Sequence, residues 1–156
     1  MKLNDQEVID FINQQGPKTR VYIGADSERY IRENVWWARY TVAVVVHIDG
    51  CHGCKLFGEI TNERDYDQRV DRPSMRLMNE VYRVSDMFQR LSESLVDRVV
   101  EVHLDINPNE VHGSSCVIQQ AIGYIKGTCN VIPMVKPQAF AASSAADRFR
   151  SKLLAA

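Results

Sequence analysis

Four acidic residues stand where acids are costly unless they are used: Asp26, Glu80, Asp105 and Asp147. Asp26 follows the strand-like run Val21–Ile23 in "RVYIGADSERY", and Asp105 closes "EVHLD". Glu80 stands in an amphipathic helical pattern, and Asp147 interrupts the small, uncharged run "FAASSAAD". Carboxylates without His or Cys suit hard divalent cations, Mg²⁺ or Mn²⁺. Acids gathered closely repel, and one takes up a proton unless a cation is bound. Two such ions about 4 Å apart can activate a water and stabilise the leaving oxygen of a phosphodiester. All four acids are therefore candidate metal ligands and catalytic residues. Each also has an ordinary reading. Asp26 suits a turn or cap, Glu80 a solvated helix face, and Asp105 an Asx turn before Asn107-Pro108. Asp147 suits a surface pair with Arg148 or Arg150. Only convergence at one end of a sheet separates the two accounts.

The elements that would bring them together follow from periodicity. Asn4 to Gln15 reads as a short helix capped by Asn4, with Val8, Phe11 and Ile12 as its apolar stripe. Strands are expected over 20–25, about 36–48 and about 54–61. "SERYIREN" is a short polar link between the first two, and the glycines of "HIDGCHGCK" mark a hairpin turn between the second and third. Residues 62–72 are charge-rich and read as a solvated loop. After Pro73 the spacing of Leu77, Val81, Val84, Phe88 and Leu91 is helical through about Ser94. A strand at 98–104, a helix at about 114–126, a strand at 130–135 and an alanine-rich helix from Ala139 to Leu154 complete the chain.

This order predicts a mixed α/β fold in a single domain over 1–156. Its sheet would have five strands, three antiparallel and then two parallel, with helices on both faces and a short N-terminal helix. If the first and fourth strands are parallel neighbours, Asp26 and Asp105 emerge at the same carboxyl edge, where ligands collect in open α/β sheets. On a helical wheel Glu80 falls at the border between the apolar stripe and a stripe of Arg76, Arg83 and Arg90. Those arginines are placed to bind phosphates near the acids.

Composition sets outer bounds. At 156 residues the chain can bury a substantial core but not two ordinary ones. A net charge of −1 means that any nucleic-acid contact must come from a local patch. No signal-peptide pattern opens the sequence, and "TVAVVV" is too short to span a bilayer. A cytoplasmic protein with reduced thiols and no membrane contact is the expectation.

Other residues invite chemistry. "CHGC" at 51–54, near His47 and His52, lacks a second cysteine pair and reads as a hairpin turn with ordinary thiols rather than zinc. Ser143 and Ser144 have no local histidine base, so they pack or hydrogen-bond backbone or substrate. Lys136 is placed to meet a phosphate, and Asn107 and His112 to line the site beyond Asp105. The adjacent Trp36 and Trp37 fit core packing better than base stacking.

The stretches "YIGADS", "LMNEVYR", "HLDINPN", "AIGYIKG" and "VKPQAFAASSAADR" resemble the YkuK-like family of predicted ribonuclease-H-like nucleases. The resemblance covers roughly residues 1–150. It implies a ribonuclease-H-like fold, with Asp26, Glu80, Asp105 and Asp147 as ligands of two Mg²⁺ or Mn²⁺ ions. It also implies cleavage of RNA, DNA or a hybrid. On the separate reading of the residues themselves, Arg76, Arg83, Lys136, Asn107 and Ser144 would face that nucleic acid. Many ribonuclease H enzymes carry a mobile histidine near the last acid. Here "KPQAF" offers Lys136, which leaves proton transfer or product release unassigned. The alternatives are a non-catalytic nucleic-acid-binding or interaction module on the same fold, and a metal-dependent phosphatase or nucleotidase acting on small substrates.

Overall fold

A computed structural model describes residues 1–50, 52–68, 71, 73–109 and 113–155. Cys51 and His112, singled out above, lie outside the described residues. Helix α1 spans Asp5–Asn13. Asn4 caps it as expected, its Oδ1 accepting the Glu7 N–H at 3.4 Å, while Val8 and Ile12 are fully buried.

Strand β1 runs Arg20–Arg32 and pairs antiparallel with β2, Val35–His47. The expected end at residue 25 is therefore wrong, and Asp26 lies within the strand rather than past its end. "SERYIREN" is not a link between strands. Most of it is strand, and the turn is Glu33-Asn34, both at positive φ (51° and 61°). Two consecutive left-handed residues are the geometry of a two-residue hairpin whose twist matches its strands. The missing glycine hid it. Strand β3, Cys54–Arg64, pairs antiparallel with β2 and runs into the stretch expected to be a loop. That stretch is not simply solvated. The Asp65 side chain is 2% exposed and ion-paired to Arg29, and Asp67 accepts the Met75 and Arg76 N–H groups at 3.0 and 2.8 Å. Asp67 so caps helix α2, Ser74–Leu95, whose own N-cap, Pro73, has no side chain able to do so.

Strand β4, Val99–Leu104, lies parallel to β1, which gives the order β3-β2-β1-β4. The sheet is mixed, but among the described residues it has four strands and not the expected five. Residues 130–135 reach β4 through a single bridge, Met134 beside His103. Asn130 ends helix α3, Ile118–Cys129, in a left-handed cap, and Pro133 has no N–H to give a ladder. The final helix α4, Ala146–Leu154, is preceded by a π-helical turn over Ala141–Ala145.

Period-two alternation divides the buried residues of β1. Val21, Ile23 and Ala25 join the main core with residues of α1, α2 and α3, whereas Tyr22 packs with Val45 and Ala141 in a small separate cluster. Gly24 belongs to the second set. A Cβ there would come 2.4 Å from the Ala142 backbone nitrogen, so the π turn rests directly on the strand. The alanines of "FAASSAAD" serve this close approach, since Ala141, Ala142 and Ala146 are fully buried. Trp36 and Trp37 are not core residues. The hairpin carries them beyond the core, and Trp36 is 44% exposed beneath the Arg29 guanidinium. Among the described residues no helix is long and apolar enough to cross a membrane.

Candidate functional site

In the parallel pair β1/β4, Ala25 stands opposite Leu104. The next residues are Asp26, still within β1, and Asp105, just past the end of β4, so two carboxylates follow this pair at the same level. The following residue on β1, Ser27, points to the α2 side, where its Oγ donates a short hydrogen bond to Glu80 Oε1. Arg76 Nη1 donates to the same Oγ at 2.8 Å and to the Ser27 carbonyl at 3.1 Å. Ser27 thus joins an acid and a base of α2 to the strand that carries Asp26.

The three carboxyls influence one another. Asp26 is pushed up to about 6 by burial, then by the negative charge of Asp105 and a hydrogen bond between the two carboxyls, against the pull of Arg150. Glu80 is only 4% exposed. Its burial holds it well above the usual carboxylate range, with Asp26 the next cause and Asp105 adding to it, while Ser27 and Arg76 act in the opposite sense. Asp147 enters from α4 through a shared partner. The buried Arg150 donates to Asp147 Oδ1 at 2.7 Å and to Asp26 Oδ2 at 3.3 Å. The Asp147 side chain is 62% exposed, so it stands at the rim.

The protein's own cations already face these acids. Lys136 Nζ lies 2.8 Å from Asp105 Oδ1, although that buried oxygen receives no directed hydrogen bond. Among the described residues no three His, Cys, Asp or Glu side chains form a ready metal-ion cage. The chemistry of the donors still fits a hard cation. All are oxygens, and Asp26 and Glu80 are raised first by burial and then by the like charge of their neighbours, which a bound cation would relieve.

A family model described as ribonuclease H-like matches residues 5–151. The chain belongs to the ribonuclease H-like family. Comparison with curated proteins and with solved structures gave no match.

The other expected site residues of this ribonuclease H-like chain are spread more widely. Arg83 donates to Thr61 at 3.2 Å, pairs with Glu63 and lies over the Tyr40 ring. Arg90 binds Asp5 and, at 2.8 Å, Glu59. Of the arginine stripe, only Arg76 touches the group around the acids. Asn107 Oδ1 accepts the Asn109 N–H at 2.9 Å, as an Asx turn does. Ser143 Oγ bonds the Ala139 carbonyl at 3.2 Å, whereas Ser144 is exposed and lines a separate cleft beside Lys55 and Arg148.

Sequence reasoning named Arg150 as a partner of Asp147, and the structure forms that pair, but its reach to Asp26 was not foreseen. Two residues that shape the site were missed. One is Ser27. The other is His103, fully buried on β4, whose Nδ1 accepts the Ala141 N–H at 3.1 Å while Nε2 faces Glu101 at 3.0 Å. An accepting Nδ1 requires the neutral ring to carry its proton on Nε2. His103 therefore ties β4 to the π turn before Asp147. Its sequence signal was a polar residue inside an apolar strand run, "VVEVHL".

Proposed function

We propose that this chain is a divalent-metal-dependent nuclease that hydrolyses phosphodiester bonds in RNA or DNA. One observation carries the reading: Asp26 and Asp105 leave adjacent parallel strands level with each other, with Glu80 buried within their electrostatic reach. Membership of the ribonuclease H-like family supports it. Asp26, Glu80 and Asp105 would hold the metal, with Asp147 completing the set from α4. Bound Mg²⁺ or Mn²⁺, two ions in this reading, would supply water activation and stabilisation of the leaving oxygen. Ser27 fixes the rotamer of Glu80, and Arg76 fixes Ser27. Lys136 and Arg150 hold the carboxylates while positive charge is otherwise lacking. Both have long stems able to turn their charge toward a substrate phosphate.

The test is a panel of RNA, DNA, hybrid and branched substrates with Mg²⁺ or Mn²⁺. Cleavage should require the ion and vanish in Asp26→Asn and Asp105→Asn, with circular dichroism unchanged. Purified protein that cuts no substrate with either ion sinks the proposal.

A second reading, a non-catalytic nucleic-acid-binding module on the same fold, is favoured by a different observation. Asp26, Asp105 and Asp147 each have a cationic side-chain partner within the protein. It predicts metal-independent binding without cleavage.

A further inference from the structure

A cleft of about 560 Å³ opens on the sheet face that carries Tyr22 and Asp26. Val45 and Leu56 form its floor, and Phe140 lines it. In the paired register Tyr22 stands opposite Val45, and Val45 opposite Leu56. Asp26 is four residues further along β1, or about 13 Å at strand spacing. That distance equals about four stacked nucleotides.

Three features of the cleft point to one class of ligand. Arg148 and Lys152 of α4 line it, and among the described residues no acid does. Both are exposed, and among the described residues neither is paired with a carboxylate. This contrasts with Arg83, Arg90 and Arg150, each held by acids. Lys55, next to Leu56 on β3, turns to the other sheet face, where its Nζ lies 5.7 Å from the Phe57 ring. Phe140 is 41% exposed yet fixed, with its ring in edge contact with Tyr22 at 5.0 Å and with His103 at 4.9 Å. An anchored aromatic beside unpaired cations on an apolar floor matches the pairing of bases with phosphates in an unpaired strand. A duplex hides its base faces and could use only the cations.

We propose that this cleft binds a single-stranded nucleic-acid segment, stacking a base on Phe140 and pairing phosphates with Arg148 and Lys152. The inference rests on the reading that nucleic acid is the ligand of this protein, and it does not require cleavage. The cleft is then a second contact that holds a strand across α4 while another part of it lies near Asp26.

Binding of a fluorescein-labelled oligothymidylate, followed by anisotropy in EDTA over about 50–200 mM salt, tests it. The double variant R148A/K152A should lose at least about fivefold in affinity, and its log–log salt slope should fall by about 1. Phe140→Leu keeps the apolar volume and should weaken the oligomer by about 5- to 100-fold. A hairpin duplex should respond to the double variant but not to Phe140→Leu. Circular dichroism checks that each variant is folded. The proposal is overturned by unchanged affinity and slope in the double variant, by an indifferent Phe140→Leu, or by an acidic peptide that competes as well as the oligomer. Failure of the nuclease reading looks different: the oligomer binds in EDTA and responds to both variants, yet nothing is cut when Mg²⁺ or Mn²⁺ is restored.

Discussion

Asp26 sets the acid–base behaviour of the site. Its carboxyl is raised from 3.8 to about 6 in the folded protein, so between about pH 4 and 6 the native chain holds more protons than the unfolded one. Unfolding free energy must then fall as pH rises through that window and level off above it. Glu80 is raised and contributes with the same sign. Urea titrations of the metal-free protein should show this decline. Asp26→Asn should flatten it and add about 1–3 kcal/mol at neutral pH. A profile in Asp26→Asn identical to the parent's would show that Asp26 is not the titrating group. Arg150→Met, which removes a charge that lowers Asp26, should move the inflection to higher pH. At this scale the acids were legible because a carboxylate at the end of an apolar run is costly and therefore conspicuous. The arginine stripe misled, because a helical wheel gives direction but not partners. Glu59 and Glu63, which hold Arg90 and Arg83, lie on β3, in and just beyond the stretch expected to be a strand. Ser27 was overlooked because a serine after an aspartate is commonplace in turns, and the register that turns it toward Glu80 is visible only once β1 is known to continue.

Elements carry the next level of specificity. The backbone of Ala142 rests against Gly24, two residues before Asp26, and Gly58 lies against the Phe149 ring. Gly24→Ala would drive a methyl into the π turn, where backbone rather than a flexible side chain must yield. It should cost about 1–3 kcal/mol or more in chemical denaturation, and it should weaken any metal-dependent activity beyond the loss of stability. A stability-neutral Gly24→Ala would mean that the turn stands further from β1. The β1–β2 turn offers the reverse experiment. Replacing Glu33-Asn34 with Asn-Gly suits two positive φ values and should stabilise the protein by about 1 kcal/mol, read as a higher denaturation midpoint with an unchanged slope. Helices α1 and α2 were readable from apolar spacing. Strand β2 and its antiparallel pairing with β1 were also readable. The outer half of β1 was not, since it lies beyond the core and carries no apolar alternation. The missing fifth strand was over-read, because "NVIPMV" has β-rich composition while Pro133 and the cap at Asn130 deny it a ladder.

At the scale of the whole molecule, binding at the acids should report on global stability. A cation that binds only the native state adds about 2.7 kcal/mol at a hundredfold excess over its dissociation constant. For a chain of this size, Mn²⁺ should raise the melting temperature by roughly 5–10 °C, an effect absent in Asp105→Asn. An equal rise in that variant would place the ion elsewhere. The chain-order pattern of acids was legible in the sequence, as was the pairing of Asp147 with Arg150, but the counter-charges of Lys136 on Asp105 and Arg150 on Asp26 were not. Those depend on which long side chain the tertiary packing brings home. The sheet itself adds one asymmetry. β1 is flanked along its length by β2 and in part by β4, whereas β4 has β1 on one side and a lone bridge through Met134 on the other. Asp26 therefore sits on a fixed anvil and Asp105 on an adjustable jaw. Any widening of the gap between them to suit guests of different size falls to the margin of the sheet, and amide exchange should be faster in β4 than in the residues of β1 beside it.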